Sequence, residues 1–472
     1  MAPVDESKRS LAAVILAAGL GTRMKSKTAK VLHEVCGRPM ITWVSAALQE
    51  VSPERTLVVL APDAADEVHS LLPQRVELVL QEQQLGTGDA VRAAGRALEG
   101  FDGDILVLYG DTPLVTGEAL ASLIRAHREH EPACTLLTVE VGDPSHYGRV
   151  CRDSDGRVTR VVEDRDAGAE EKKICEINGG VYAFEAASLW EALALVDSEN
   201  AQGEIYLTDV IGILASRGMA VLAHKVDDPA MVLGVNSRKE LAAASGIMRS
   251  RILERHMLAG VTITDPSCTY VEAGVTIGRD TVLEPMTVLT GETAVGEDCV
   301  IGPSSLIADS VIDDGSSVVA SHVIGAEVGS GVSVGPFAYL RPGTRLAAGS
   351  KAGTFVEIKN SDVGEGAKVP HLSYIGDSEV GAGTNIGAGN ITANYDGVGK
   401  FRTVIGSDVH TGADTVFVAP VEVGDGAMTG AGSVITGDVP SGGLGIARAR
   451  QKNIEGYASN KFGPRREEEK EK

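Results

Sequence analysis

Residues 15–30 read ILAAGLGTRMKSKTAK, an aliphatic run that ends in Gly19 and Gly21 and continues to Arg23 and Lys30. Glycines at the end of a strand let the backbone approach a phosphate closely, and two cations offset the charge of a polyphosphate. The stretch is not a Walker loop, which needs four residues between its first glycine and Gly-Lys-Ser/Thr. Nor is it a dinucleotide fingerprint, whose third glycine would stand where the chain has Met24. A phosphate loop of another kind and a plain tight turn both remain. Asp111 closes the run DILVLYGD just before Pro113. It is either an oxygen ligand for a hard cation or a turn former. Far along the chain, Arg341, Lys359, His371 and Tyr374 interrupt a sequence of small and aliphatic residues. A histidine titrates near neutral pH and suits a general base, against the blander reading of a surface residue at a chain corner.

The elements that must position these residues have two different periods. From Leu11 to about Val235, the runs AAVILAAG, TLVVLAP, VELVLQ, DILVLYGD and ACTLLTVEV read as strands, each bounded by Gly, Pro or Asp. Stretches such as Met40 to Val51 and Thr116 to Glu129 read as helices between them. The alternation predicts an α/β domain over residues 1–236, Rossmann-like, with a mostly parallel sheet covered on both faces. Its ligands are expected beyond the C-terminal strand ends. Leu241, Ala244, Met248 and Ile252 then fall at helical spacing, so one linker helix is expected over residues 237–260.

After Val261 the period becomes six. Val271, Ile277, Leu283, Leu289, Val295, Ile301 and Ile307 recur at that interval, as do Ile405, Thr411, Phe417, Val423, Thr429 and Ile435. Hexapeptide repetition predicts a parallel β-helix over residues 261–457, with the aliphatic position inward and the next residue, often glycine, at a corner. The stretch ANYDGVGKFR breaks the repeat between Thr392 and Thr403 and reads as an exposed loop that packing does not require. Residues 458–472, ending in RREEEKEK, read as a disordered, solvated tail.

Composition narrows the class. The chain has 472 residues and a formal charge of −22, which disfavours nucleic acid and anionic membrane as partners. Its longest early apolar run, Leu11 to Ala18, is too short to cross a bilayer and has no cleavage site after it, so the protein reads as cytoplasmic. Six scattered cysteines argue against disulfides. His322, His371 and His410 have no second histidine nearby, so structural zinc is not expected.

The strings LAAGLGTRM…K, QLGTGDA, LYGDTPL, YGRV, VVEDRDA, EINGGVY and GVNSR occur in that order, followed by LRPG, FVEIKN, HLSY, NIGAG and NYDG. Together with the hexapeptide half, this set resembles the bifunctional bacterial N-acetylglucosamine-1-phosphate uridylyltransferase/glucosamine-1-phosphate acetyltransferase family, from Ala12 to about Tyr457. The resemblance implies acetyl transfer from acetyl-coenzyme A to glucosamine 1-phosphate, then Mg²⁺-dependent uridylyl transfer from UTP. The product, UDP-N-acetylglucosamine, supplies cell-wall precursors. It also implies a left-handed β-helix and a homotrimer. Leu16, Ala17, Ala18, Gly19, Gln81, Gly86 and Thr87 would meet the nucleotide, and Arg23 and Lys30 its phosphates. Tyr109, Gly110, Gly148, Glu163 and Asn178 would line the sugar and nucleotide pocket, with Asp111 and Asn236 on the metal.

In the second half the resemblance makes His371 the base, with Arg341, Lys359, Tyr374 and Asn385 on glucosamine 1-phosphate. Ala388, Asn394, Tyr395, Ala413, Ala431 and Arg448 would contact acetyl-coenzyme A. Two positions depart from the family pattern: Gly179, where relatives often carry threonine, and Ala413, where many carry serine. A single-activity sugar nucleotidyltransferase with a structural β-helix, and a non-catalytic scaffold, are the competing readings. Neither gives a reason for Arg341, Lys359, His371 and the 393–402 loop to occur together.

Overall fold

The computed structural model describes residues 9–19 and 21–463 of the chain. Two compact units emerge, one running to Glu254 with Val271–Ala273 added, the other taking Arg255–Tyr270 and the chain from Gly274 onward.

The first unit is built on a nine-stranded sheet. Its strands are β1 (Leu11–Leu16), β2 (Arg55–Leu60), β3 (Val76–Leu80), β4 (Asp104–Tyr109), β5 (Cys134–Glu140), β6 (Arg149–Arg152), β7 (Val158–Val162), β8 (Glu176–Glu185) and β9 (Val221–Lys225). The order across the sheet is β9-β5-β8-β4-β1-β2-β3. Pairing is parallel around β1, β2, β3 and β4 and between β5 and β9. Strand β8 runs antiparallel between β4 and β5, and β6 with β7 forms an antiparallel extension on β8. The five expected strands are all present, and the sheet is mostly parallel but mixed.

Helices α1 (Met40–Val51), α2 (Thr87–Ala97), α3 (Gly117–His130) and α4 (Asp209–Ser216) cover the sheet. Ile41, Val44 and Leu48 of α1 and Leu120 and Leu123 of α3 share one core with Ala13, Ile15, Val58, Leu106 and Leu108. On the other face, Val91 and Ala94 of α2 and Val210, Ile211 and Leu214 of α4 pack with Ala12, Val14, Leu57 and Val107. Successive strand residues alternate between the two cores, as the two-residue period requires.

Helix α5 spans Arg238–Leu258. Much of it is anchored on the first unit: Arg251 donates to the Leu114 carbonyl at 2.7 Å and to Asp228 at 3.0 Å.

The second unit is a parallel β-helix of three sheets with seven, ten and nine strands. Leu289 stacks on Ile307, so the early coils are eighteen residues long, three hexapeptides each. Val271, Leu289 and Ile307 are buried in the core from one sheet, Val295 from the next with Ile277 partly buried beside it, and Leu283 and Ile301 from the third. Farther along, Ile307 pairs with Val323 and Val323 with Leu340, so coils shorten where the hexapeptide spacing slips. Corners adopt left-handed backbone at many residues besides glycine, including Met286 (φ 62°), Phe337 (60°), Phe355 (56°) and Leu372 (52°). The sequence-based tail needs correction. Tyr457–Phe462 form helix α6, opened by Gly456 at φ 67°, with Asn460 N–H donating to the Gly456 carbonyl at 2.8 Å. The RREEEKEK run lies outside the described residues.

Candidate functional sites

In the first unit, the C-terminal ends of β1 and β4 lie side by side, Leu16 in register with Tyr109. The chain beyond β1 stays against the sheet: Leu16, Ala17 and Ala18 are buried, Ala17 N–H donates to the Val59 carbonyl (2.8 Å), and Gly110 N–H donates to the Leu16 carbonyl (2.9 Å). Gly19 is exposed. At Gly21 the backbone turns with φ 59°, and a Cβ there would stand 2.8 Å from the Lys30 Cβ. Glycine is required because its absence of a side chain lets the Lys30 stem fold back across the loop. Arg23, on the single turn Thr22–Met24, is exposed and has no ion pair among the described residues. It is available to a polyphosphate.

The Lys30 ammonium sits between two oxygens, ion-paired to the Asp111 carboxylate and donating to Asn236 Oδ1 at 2.6 Å. Both partners of the ion pair are largely enclosed, with 12% and 19% of the side chains accessible. Val235 N–H donates to the Asp111 carbonyl at 2.9 Å, which ties the two loops together, and Glu240 of α5 accepts from Asn236 N–H at 2.7 Å. One carboxylate oxygen and one amide oxygen thus converge on a cation, the donor set a hard divalent ion takes. The lysine charge stands in for such an ion here, so Asp111 and Asn236 fit the implied metal.

The residues expected on the sugar side also converge. Asn178 N–H donates to the Gly148 carbonyl (2.9 Å), and a Cβ on Gly148 would fall 3.6 Å from Glu163 Oε1. Glu163 accepts from the Thr208 hydroxyl at 3.0 Å. Burial raises its carboxyl above the usual range, against that hydrogen bond, and the nearby charges of Asp209, Asp166 and Asp164 push the same way. Burial and the Glu163 charge likewise raise the Tyr109 hydroxyl, which is hydrogen-bonded to Tyr182 and Thr87. Asn178 Nδ2 donates to the Tyr182 hydroxyl at 2.6 Å. Gly179 has no room for a side chain in this structure. A Cβ there would meet the Leu137 carbonyl at 2.8 Å and the Leu137 and Val232 side chains at 2.7 Å. Gln81 is buried beside Gly86, and Thr87 accepts from Leu207 N–H at 3.0 Å.

In the second unit, Arg341 pairs with Glu357 at 2.8 Å and lies over the Tyr339 ring at 5.9 Å. Lys359 stands 3.6 Å from Asp377, which also accepts from Asn360 (2.7 Å) and from Asn394. Burial works against the Asp377 charge, but these hydrogen bonds and the charges of Lys359 and Lys400 hold its carboxyl below the ordinary range. Lys400 comes from the 393–402 loop, a hairpin in which Tyr395 bridges Lys400 and Asp396 caps Val398 and Gly399. Contact with Lys359, and its like charge, lower the Lys400 ammonium from the usual lysine range. Two adjacent ammonium groups of this kind are relieved by an anion.

Tyr374 follows Glu357 in the same sheet, while His371 lies on the neighbouring sheet, paired with Thr354 and exposed. Asn385 bridges Lys368 and His410 through its backbone. The Ala388 carbonyl accepts from Asp414 N–H (2.7 Å), and the Arg448 guanidinium donates to the Ala431 carbonyl (2.8 Å). Ala413 is exposed near these corners. Glu357, Asp377 and Lys400 escaped the sequence reading, although Glu357 stands inside FVEIKN and Lys400 inside the interrupting loop.

Comparison with known proteins shows what the chain is similar to. The model of the MobA-like NTP transferase domain matches residues 13–174, and that of the bacterial transferase hexapeptide (six repeats) matches residues 402–437. A protein of Mycobacterium bovis named "Bifunctional protein GlmU" is 48% identical over 457 residues, covering 95% of this chain and 92% of its own length. Proteins of the same name from Corynebacterium efficiens (47%, covering 97% and 96%) and Streptomyces coelicolor (50%, covering 96% and 95%) are equally full-length matches. No described helix is long and apolar enough to cross a membrane.

Proposed function

The chain belongs to the family of bifunctional proteins named GlmU, and on that premise we propose how its two sites divide the work. The protein is an enzyme with two activities. It acetylates glucosamine 1-phosphate and then joins N-acetylglucosamine 1-phosphate to a uridylyl group, giving UDP-N-acetylglucosamine and pyrophosphate. The second reaction needs a divalent metal, and we take it to be Mg²⁺.

In uridylyl transfer, a phosphate oxygen of the sugar phosphate attacks the α-phosphorus of UTP in line with the departing pyrophosphate. No protein nucleophile is involved, so positioning and charge stabilisation supply the catalysis. Asn178, Glu163 and Gly148 orient the sugar, Gln81 and the Gly86–Thr87 turn hold the base, and Arg23 offsets charge on the leaving group. Asp111 and Asn236 would hold the metal, which when bound neutralises phosphate charge as a Lewis acid. Lys30 turns from these oxygens to the phosphates when nucleotide enters. The observation that carries this reading is the cation already seated between Asp111 and Asn236.

In acetyl transfer, His371 takes the proton from the glucosamine amine as the nitrogen attacks the thioester carbonyl, and coenzyme A leaves as its thiol. Arg341, Lys359 and Lys400 outnumber Glu357 and Asp377 by one charge, which suits a phosphate monoester. Tyr374 and Asn385 face the sugar, and Ala388, Asn394, Tyr395, Ala413, Ala431 and Arg448 take acetyl-coenzyme A. Assembly as a homotrimer and a cytoplasmic location complete the reading; hexapeptide β-helices favour the former. The deciding experiment is a product assay with glucosamine 1-phosphate, acetyl-coenzyme A, UTP and Mg²⁺, omitting each in turn. UDP-glucosamine formed from glucosamine 1-phosphate and UTP without acetyl-coenzyme A would refute the sequence of steps.

A further inference from the structure

Gln81 is only 4% exposed, and its amide is committed at one end. Nε2 donates to Asp89 Oδ2 at 2.7 Å and to the Gly86 carbonyl at 3.3 Å. A peptide carbonyl and a carboxylate can only accept, so an amide turned the other way would set its oxygen against two lone-pair groups. Both protons of the NH₂ group are thereby used. Oε1 finds no partner among the described residues and is not among the sealed polar atoms.

The two acceptors are supported differently, and the Gly86 carbonyl is not free to swing away. Asp89 lies in the first turn of α2, where the helix dipole stabilises a negative charge. Gly86 is held at φ 116° with no room for a Cβ, which would stand 2.5 Å from the Ile205 carbonyl oxygen. The segment around Ile205 straps the turn on both sides: Gly88 N–H donates to the Ile205 carbonyl (2.8 Å), and Ile205 N–H donates to the Leu85 carbonyl (2.7 Å).

We infer that Asp89 is a positioning residue that sets base specificity, holding the Gln81 NH₂ group so that an acceptor-only oxygen faces the nucleotide. Such an oxygen pairs with the imide N3–H of uracil and opposes the N3 lone pair of cytosine. The inference rests on the assignment of Gln81 to the base in uridylyl transfer.

The test compares kcat/KM for UTP and CTP, with N-acetylglucosamine 1-phosphate, in the full-length enzyme and its Asp89→Leu and Asp89→Asn variants. Leucine offers no acceptor and frees the amide to turn, so the UTP-to-CTP ratio should fall about tenfold, the worth of one hydrogen bond, chiefly through KM. Asparagine still offers one oxygen but can also turn, so its ratio should fall by less. A purely structural role would lower both nucleotides alike and leave the ratio unmoved. An unchanged ratio in both variants overturns the inference. A wild-type enzyme indifferent to UTP and CTP would instead overturn the placement of Gln81 on the base, and the inference with it.

Discussion

Replacing Asp111 with alanine strips the anion from an ion pair whose cation stays behind. Lys30 then keeps only Asn236 Oδ1, at 2.6 Å, while 88% of its side chain remains out of solvent. Breaking a fully buried pair on one side costs about 3–5 kcal/mol, and an exposed pair is worth about 0.2–1 kcal/mol. A pair this enclosed but open at one edge falls between them, at about 2 kcal/mol. For a domain of this size that corresponds to roughly 4–8 °C on the melting transition of the first unit. Asp111→Asn keeps an oxygen for the ammonium and should recover part of that loss. Neither variant offers a charged metal ligand, so uridylyl transfer should drop at least about a hundredfold in both, on the scale of losing one group that stabilises transition-state charge. Calorimetry with and without Mg²⁺, alongside initial rates at limiting Mg²⁺, separates the two effects. An Asp111→Asn enzyme with wild-type rates at limiting Mg²⁺ would show that the carboxylate only pairs with lysine. An Asp111→Ala enzyme that melts like wild type would refute the stability argument.

Other perturbations have equally definite outcomes. His371→Ala should lower acetyl-transfer turnover by about 10²–10⁴-fold and leave uridylyl transfer intact; loss of both activities together would mean a folding role. Glu163 has its carboxyl raised in the folded state. The folded protein therefore holds that proton more tightly, and stability is lost as pH rises from the ordinary carboxyl range through the raised value. Glu163→Gln should thus gain melting temperature relative to wild type at pH 8 but not at pH 4, while its KM for N-acetylglucosamine 1-phosphate rises; equal shifts at both pH values would contradict this. Gly21→Ala should cost about 1–2 kcal/mol for its left-handed backbone and, by pushing on the Lys30 stem, depress uridylyl transfer far more than acetyl transfer. Matched losses in the two reactions would deny the link to Lys30.

Patterns that repeat within one element were legible in the sequence. The helix read over Met40–Val51 matches α1, and the period of six found the inward side of the β-helix, because each pattern reports burial of a side chain relative to its near neighbours. Strand β8 was less visible. EINGGVY entered the reading as a motif, and its antiparallel placement between β4 and β5 depends on strands far away in the chain. The pairing of Lys30 with Asp111 and Asn236 was hidden for the same reason: β1 and β4 must first become neighbours. Asp89 and Asp377 carry no signal of their own, since an acidic residue in a helix's first turn or at a coil corner is ordinary surface chemistry until its partner is known. The helical turn at Tyr457–Phe462 was read as tail because six residues are too few to show a period.

The coil-by-coil stacking of the second unit has a consequence for how such a chain can change. Val363 stacks on Val380, and Val380 on Ile405, although the hairpin carrying Lys400 intervenes only in the second step. A residue gained or lost inside a strand would turn the rest of that strand's side chains to the opposite face, so the stacking must stay in step within a flat. At a corner the chain may be lengthened freely, provided it returns to the next flat in step. The ladder thus works as a fixed ruler with movable attachments: new charged groups can be hung beside an existing pocket by lengthening a bend, while the dimensions of the support stay as they were.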